Sequence, residues 1–325
     1  MISRLFIIVV ASIVGLVLFV AMLLRPLPAG ENSERRRRWW RIFRIAIAVI
    51  LVSVGAAAIW AFFIEPNRLV VHQQTVAIDN WPKELSGLRV ALIGDVHTGG
   101  PFIDYQKLRR IVDLTNQQKP DLIVLLGDYM SPDSWHSHKV EPEVTAGVLK
   151  DLRAPLGVYA VLGNHDWWYN GEKCRRAFED VGIHVLENDV AEIKWRDKSF
   201  WLIGFADIWT RRLNIKDTIA KVPTGAPMIG LTHNPDLFPR IPQTVPLLLA
   251  AHTHGGQVNF PLLGTPIVPS KFGSKYTAGH IFENGHHMFV TTGIGTSILP
   301  VRFRVPPEIM MLTVVSQVTP DSTHQ

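Results

Sequence analysis

Cysteine is almost absent from this chain of 325 residues, in which Cys174 is the only one. No intrachain disulfide can form, so the cysteine content does not indicate the redox state of the compartment. Charged residues are also scarce, at 19%, whereas hydrophobic residues reach 47%. This composition is too apolar for an ordinary soluble domain.

Excess positive charge is absent from most of the chain, although the net charge is +5. Residues 1–64 contain eight Arg, no Lys and two acidic residues, which gives +6, so residues 65–325 sum to −1. A nucleic-acid-binding domain carries a basic excess of its own. We therefore do not expect nucleic acid as a partner. If the chain is an enzyme, nuclease activity is possible but is not favoured by this charge distribution.

Two runs of twenty residues without charge, 5–24 and 45–64, account for the apolar excess. A helix rises about 1.5 Å per residue, so each run can cross a hydrocarbon core of about 30 Å. We predict two N-terminal transmembrane helices, separated by an Arg-rich loop at 25–44, that anchor the chain through residues 1–64. A cleaved signal peptide or a single span remains the alternative for the first run, and a buried core helix for the second.

The predicted loop holds four consecutive arginines at 35–38, followed by Trp39 and Trp40. Short Arg-rich loops stay in the cytoplasm, and Trp favours the membrane interface. This pattern predicts that the domain after residue 65 lies on the opposite, outer side. The spans contain no charged residue, which argues against a transporter or channel.

Residues 65–315 form one predicted domain, followed by a tail at 316–325. Five apolar runs each end in a polar cluster, in the segments LRVALIGDVH, DLIVLLGDY, GVYAVLGNHD, APMIGLTHNPD and VPLLLAAHTHGG. Near-continuous apolar runs are typical of strands covered on both faces. Helices are predicted between them, one capped by Asp104 and running through Lys119, another at 172–181. The fold class is α/β, with some antiparallel pairing late in the chain.

The polar clusters all follow the carboxyl ends of the predicted strands, where open α/β sheets bind ligands. They bring together the following candidates: Asp95, His97, Asp128, Asn164, His165, His233, His252 and His254. Imidazole and carboxylate without thiolate suit Mn, Fe or Zn, and the donors exceed the four that one tetrahedral ion uses.

The donor set therefore predicts two divalent ions, held about 3.5–4 Å apart by a bridging carboxylate. Such a pair can polarise a phosphoryl group and turn a bridging water into hydroxide. In Asp95-x-His97 and His252-x-His254, both side chains point the same way if the backbone is extended.

These residues also carry a resemblance. In order, Asp95-x-His97, Gly127-Asp128, Gly163-Asn164-His165-Asp166, Thr232-His233 and Ala251-His252-Thr253-His254 follow the signature of calcineurin-like metallophosphoesterases. The blocks THNPD at 232–236, HTHGGQV at 252–258 and TTGIGTSILPVRF at 291–303 are similar to the membrane-associated bacterial branch of that family, the YkuE-type and YaeI-type phosphoesterases. The resemblance covers residues 66–313.

The resemblance implies a four-layer α-β-β-α sandwich and a role for each candidate. Asp95, His97 and His254 would hold one ion, Asp128 would bridge, and Asn164, His233 and His252 would complete the second ion. His165 would face the substrate phosphate as general acid or transition-state stabiliser. Two positions depart from the family pattern: Ala251 stands where Gly is usual, and Gly94 where Ser is usual.

We therefore expect a multi-pass protein of the bacterial inner membrane with its catalytic domain on the periplasmic side. It would hydrolyse a phosphodiester, phosphomonoester or pyrophosphate bond by attack of metal-bound hydroxide, and a lipid-linked substrate is the hypothesis that the anchor suggests. The alternative is a non-catalytic, metal-stabilised scaffold or receptor domain on a membrane anchor. That alternative predicts a missing ligand or a lost His165, whereas the set here is complete.

Several residues near the predicted site keep two readings. Asp166 is either a structural acid or catalytic, and Trp167 and Trp168 either stack on a base or acyl chain or simply pack. Arg302 and Arg304 are candidates to reach a phosphate, although the opposite is favoured. The apolar loop at 260–272 is either packed or lies at the rim of the site and dips toward the bilayer.

Overall fold

The computed structural model describes residues 14–15, 19–22, 34–131 and 137–317. The chain divides into two compact units, Met1–Ile64 and Glu65–Gln325. In the first unit, helix α1 spans Glu34–Ile59 and is followed by a π-helical turn, Trp60–Ile64. Residues 34–44, predicted as part of the loop, are therefore helical. Arginine is a good helix former, and Glu34 in the first turn is favoured by the helix dipole.

One helical stretch among the described residues, Glu34–Asn67, is long and apolar enough to cross a membrane. Its most apolar window has a mean hydropathy of 2.6, and it contains the predicted span 45–64. The predicted span 5–24 lies outside the described residues, apart from 14–15 and 19–22, which are helical. The prediction of two transmembrane helices is thus reduced to one candidate, identified by length and composition.

The described residues of the second unit form twelve strands in two six-stranded sheets. In chain order the strands are β1 Val70–Ile78, β2 Leu88–Ile93, β3 Leu122–Leu125, β4 Val158–Ala160, β5 His184–Val185, β6 Asp189–Trp195, β7 Lys198–Gly204, β8 Met228–Leu231, β9 Leu247–Ala250, β10 Gly279–Glu283, β11 His286–Val290 and β12 Glu308–Ser316. The first sheet has the order β1-β12-β2-β3-β4-β5, and the second β10-β11-β9-β8-β7-β6. Both are mixed: β12 runs antiparallel to β2, β10 to β11 and β6 to β7.

Four further helices connect these strands: α2 Tyr105–Gln117, α3 Pro142–Leu149, α4 Asn164–Glu179 and α5 Ile215–Ile219. Asp104 caps α2, since its Oδ1 accepts the Lys107 N–H at 2.8 Å, as the sequence predicts. Helix α4 begins at Asn164, eight residues before the predicted start at 172, but its backbone is non-helical at Asn170, so the predicted helix corresponds to the part that follows this kink. The first turn of α4 contains residues of the predicted site. Because these residues are polar, the apolar pattern of a helix was not visible there in the sequence.

Side chains that alternate along the strands separate three hydrophobic layers. Ile123 packs with α2, α3 and α4 on the outer face of the first sheet, while its neighbour Val124 packs with Leu249 between the sheets. Leu248 points to the outer face of the second sheet, against the 3-10 helix Pro235–Arg240. Two sheets therefore lie face to face, with three long helices outside one and short helical turns outside the other.

Candidate metal centre

The eight candidate residues follow five parallel strands, at the ends expected from the sequence. Asp95 and His97 follow β2, Asp128 follows β3, Asn164 and His165 follow β4, His233 follows β8, and His252 and His254 follow β9. Three of these strands belong to the first sheet and two to the second, so the site lies where two sheets meet rather than on the edge of one.

The structure contains two groups of three side chains that can each hold a metal ion. One is formed by Asp95, His97 and His254, and the other by Asp128, His233 and His252. Within each group the donor atoms lie within 4.8 Å of one another, and all six residues are buried. Two metal-binding sites are thus present, although which residues coordinate and which metal binds remain predictions.

Asp128 belongs to the second group and also lies close to the first. Its Oδ2 is 3.2 Å from Nε2 of His233 in the second group and 3.8 Å from Nε2 of His97 in the first. The same oxygen is 4.0 Å from Nε2 of His165. A carboxylate at this distance from both groups has the position that a bridging ligand requires.

Backbone carbonyls fix the orientation of two imidazoles. Nδ1 of His97 lies 3.0 Å from the Met130 carbonyl, and Nδ1 of His233 lies 2.8 Å from the Leu126 carbonyl. Each Nδ1–H donates to its carbonyl, so Nε2 is the ring nitrogen that faces Asp128 and is free to bind a metal. Histidine ligands in metalloproteins are commonly oriented by such a second hydrogen bond.

Several buried polar atoms of the site have no hydrogen-bond partner among the described residues: Asp95 Oδ2, both amide atoms of Asn164, His252 Nε2 and His254 Nδ1. Burying a polar atom without a partner costs free energy, so such a concentration needs an explanation. Nitrogen and oxygen donors suit Mn, Fe or Zn, and coordination would satisfy donor atoms of this kind. The residues present therefore fit a pair of divalent ions.

The backbone at the site is not extended. Asp95, His97, Asp128, His252 and His254 all have positive φ, between 51° and 72°. The condition under which each i, i+2 pair would point the same way is therefore not met: Asp95 and His97 belong to one group, but His252 and His254 belong to different groups. This left-handed conformation is uncommon for residues other than glycine, and strain of about 1–3 kcal/mol per residue is characteristic of functional sites.

Burial and charge set the pKa values in the metal-free site. Burial raises the pKa of Asp95 to about 7 and lowers that of His97 to about 4. Burial also opposes charge on Asp128, but His233 and His165 outweigh it and hold the Asp128 pKa well below its usual value. For His233, the effect of burial is outweighed by Asp128 and Asp95, which raise its pKa to about 10. A cation bound here would take the place of the His233 proton.

His165 differs from the metal-ligand candidates in being partly exposed, with 15% of its side chain accessible. Its backbone N–H donates to Asp128 Oδ1 at 2.9 Å, which holds the first turn of α4 against the site. Its ring meets that of Trp168 edge to face at 4.8 Å. Burial lowers the His165 pKa. The imidazole thus lies at the mouth of the site, within reach of both the ligand groups and solvent.

Asp166 is fully buried and accepts four backbone hydrogen bonds. Its Oδ1 accepts from Tyr129 and Met130 at 2.8 and 3.0 Å, and its Oδ2 accepts from Asp128 and Gly163, both at 2.9 Å. Burial raises the Asp166 pKa to about 7, whereas the four N–H donors favour its charged form. The geometry supports the structural reading of Asp166, since it joins the Asp128 loop to the start of α4.

The two departures from the family pattern are neighbours in space. A Cβ added to Gly94 would lie 2.5 Å from the Cβ of Ala251. The Ala251 methyl group therefore fills the space that a side chain at position 94 would use. One substitution compensates for the other, and the metal ligands on either side need not move.

Arg302 does not reach the site, which corrects the phosphate-binding reading. It is completely buried and donates to the carbonyls of Thr292, Gly293, Gly295 and Val305. The segment that it folds lies against Asp95, because the Gly295 N–H donates to the Asp95 carbonyl at 2.6 Å. Arg302 therefore supports the loop behind a metal-ligand candidate.

Sequence reasoning missed the loop after β7. Asp207 is buried with Oδ1 unpaired among the described residues, and its Oδ2 accepts the N–H groups of Trp209 and Thr210. The half-exposed Trp209 ring meets the His252 ring edge to face at 4.4 Å and stacks near Trp168 at 6.4 Å. The segment FWLIGFADIW shows the same pattern of apolar run and polar cluster, which is the signal that could have found it.

The family to which this sequence is matched is one of metal-dependent phosphoesterases, which is consistent with the two ligand groups. Residues 88–256, more than half of the chain, match the calcineurin-like phosphoesterase family, and the chain belongs to that family. It is 28% identical to the metallophosphoesterase YkuE of Bacillus subtilis over 285 residues, covering 86% of this chain and 98% of YkuE.

Two further relatives carry activities in their names. The phosphodiesterase YaeI of Escherichia coli is 29% identical over 286 residues, covering 85% of this chain and 98% of YaeI. The UDP-2,3-diacylglucosamine pyrophosphatase LpxG of Chlamydia trachomatis is 24% identical over 322 residues, covering 82% of this chain and 95% of LpxG. This chain is accordingly similar to one protein named as a phosphodiesterase and to another named as a pyrophosphatase.

Proposed function

We propose that this chain is a membrane-anchored phosphoesterase that uses two divalent ions to hydrolyse a phosphodiester, phosphomonoester or pyrophosphate bond of a lipid-linked substrate. The observation that carries the proposal is the pair of adjacent ligand groups, in which Asp128 of the second group also lies near His97 of the first, with His165 at their mouth. When bound, the ions supply Lewis acidity and lower the pKa of water.

The remaining steps, metal binding and stabilisation of the transition state, are assigned to side chains of this chain. Asp95, His97 and His254 would hold one ion, and Asn164, His233 and His252 would hold the other, with Asp128 near enough to both groups to serve each of them. His165 donates a hydrogen bond to the substrate phosphate and stabilises the charge that develops in the transition state, or protonates the leaving oxygen. Trp168 and Trp209 narrow the opening beside it.

Two observations support a lipid-linked substrate and a membrane anchor. The stretch Glu34–Asn67 has the length and hydropathy of a membrane span. A relative, LpxG, is named for a substrate that carries two acyl groups. Because short Arg-rich segments stay in the cytoplasm, the segment before the apolar run supports an orientation with the catalytic unit, residues 65–315, on the outer side of a bacterial inner membrane.

The test uses the full chain in detergent, loaded with Mn²⁺, and follows hydrolysis of bis-p-nitrophenyl phosphate together with the metal content. We expect Asp128→Asn to lose both turnover and bound metal. His165→Gln should keep its metal and lose about 10²–10⁴-fold in rate, the range for a positioned proton donor. His184→Ala, which changes an exposed histidine on β5, serves as the matched control and should behave like the parent.

A different result would favour the non-catalytic scaffold. If the parent binds two ions per chain but hydrolyses no diester, monoester or pyrophosphate, the metal centre is structural. If His165→Gln is as active as the parent, the role proposed for His165 is wrong while the metal assignment stands. Protection of residues 65–315 from protease added to spheroplasts, in which the outer face of the inner membrane is accessible, would contradict the proposed orientation.

A further inference from the structure

Two loops beside the metal centre expose an unusual set of large apolar side chains, which we call the apolar tip: Phe260, Leu262, Leu263, Ile267, Ile298 and Leu299. Leu262 and Leu263 are 105% and 82% exposed, and Ile267 and Ile298 are each 74% exposed. Single exposed apolar residues are ordinary on a protein surface, but clustered ones mark an interaction site.

The two loops are tied together into one feature. Gln257 donates through Nε2 to the Leu299 carbonyl at 3.0 Å and accepts the Ser297 N–H at 2.6 Å. The Asn259 N–H donates to the Phe303 carbonyl at 2.9 Å. Leu262 and Ile298 both have positive φ, which is a rare conformation for such side chains. The apolar side chains are thus presented by a braced turn on each loop.

The apolar tip is connected directly to the metal centre. The first loop starts at Gly255, the residue after the metal-ligand candidate His254. The second follows Gly293, where an added Cβ would lie 2.5 Å from Asp95 Oδ2. Both loops of the tip are therefore continuous with the segments that carry or contact the metal-ligand candidates.

Charge at the tip favours an anionic surface. Residues 255–282 and 284–307 contain no Asp or Glu. Lys271 and Arg304 are exposed on these segments, and Lys271 lies 5.2 Å from the Phe272 ring centre. The Asp236 carboxylate that contacts Ser270 and Lys271 is buried. Exposed apolar side chains next to exposed basic ones are the features with which proteins lie in the interface of an anionic bilayer.

The position of the tip in the second unit points to the same partner. One cavity is lined both by Val70 and His72, at the start of β1, and by Leu263 and Arg304. Strand β1 begins three residues after the apolar stretch Glu34–Asn67 ends. The side of the domain that carries the tip is therefore also the side on which β1 begins.

From these contacts we infer that the apolar tip inserts into the interface of the anionic bilayer that holds the N-terminal helix, and thereby presents the metal centre to the phosphate esters of membrane lipids. The substrate class rests on the proposed function, but the insertion does not. In this position the apolar side chains of the tip lie about 5–10 Å deep in the boundary between the lipid headgroups and the acyl chains.

The test places an environment-sensitive fluorophore, NBD, on Leu263→Cys in the full chain. The native Cys174 is buried, so the unsubstituted chain serves as the labelling blank. Lys194→Cys, on the exposed far edge of the second sheet, is the matched control. Each protein is reconstituted into vesicles of equal parts phosphatidylcholine and phosphatidylglycerol, with and without lipids that carry a doxyl quencher near the head of the acyl chain.

We expect a blue shift and doxyl quenching at position 263 and neither at position 194. Emission at 263 that stays as in water would overturn the inference, and so would equal quenching at both positions. A blue shift that depends on protein concentration, without quenching by doxyl lipid, would show that a second copy covers the tip instead. Hydrolysis of bis-p-nitrophenyl phosphate by the same labelled proteins tests the proposed function separately, because neither position belongs to the metal centre.

Discussion

Replacing Asp166 with asparagine tests how the site is held in place. The carboxylate accepts four backbone N–H groups, two on each oxygen. In Asp166→Asn one oxygen becomes an NH₂ group, which cannot accept, so two buried N–H groups lose their partner. Each buried, unsatisfied group costs about 1–3 kcal/mol, which gives a loss of about 2–6 kcal/mol in the free energy of unfolding.

The same change should disturb the metal centre. Two of the four donors belong to Asp128 and Tyr129, and a third belongs to Gly163, the residue before Asn164. We therefore expect Asp166→Asn to bind less metal and to lose turnover in parallel. The assays are chemical unfolding of the full chain in detergent, metal analysis and hydrolysis of bis-p-nitrophenyl phosphate.

The control is Asp113→Asn, which removes an exposed carboxylate from α2 and should change stability by less than about 0.5 kcal/mol. An Asp166→Asn variant as stable, as metal-loaded and as active as the parent would refute the positioning role. A variant with normal stability and metal content but no turnover would show instead that Asp166 takes part in the chemistry.

Three further predictions follow from the packing around the site. Gly94→Ser should cost about 1–3 kcal/mol of stability by overpacking against Ala251, and adding Ala251→Gly should restore most of it; unfolding curves in which the two losses add would contradict the compensation. Removing metal with EDTA should lower the melting temperature, and an ion at 100 times its Kd should restore about 2.7 kcal/mol; identical melting with and without metal would mean that no ion binds the native state. Arg302→Lys should lose several hydrogen bonds to carbonyls such as that of Gly295, and each bond from a charged donor contributes about 1.5–3 kcal/mol to stability. We also expect reduced turnover. Unchanged unfolding and kinetics would show that the loop behind Asp95 folds without the guanidinium group.

The sequence by itself determined the class of the domain and the chemistry of its candidate site. Apolar runs followed by polar residues predicted the strand ends after β2, β3, β4, β8 and β9, because a strand buried on both faces must be apolar and its end need not be. Residue type alone limited the metal to ions that prefer nitrogen and oxygen donors. The Asp104 cap was equally local, since it depends on residues only three positions apart.

Only the tertiary structure decided how the donors are arranged. Asp95 and His252 are 157 residues apart, yet the His252 N–H donates to Asp95 Oδ1 at 3.0 Å. No periodicity in the sequence reports that the five strands divide between two sheets, or that the ligand-bearing turns adopt positive φ. The compensation between Gly94 and Ala251 likewise exists only where the two sheets meet.

What the sequence predicts and what only the structure shows differ for a physical reason. Secondary structure and ligand chemistry depend on residues close along the chain, where composition and spacing act directly. The four N–H donors of Asp166, the carbonyls around Arg302 and the rim formed by Trp209 depend on packing between distant segments. That packing is fixed by the whole hydrophobic core, and so only the folded chain shows which polar residues it brings together.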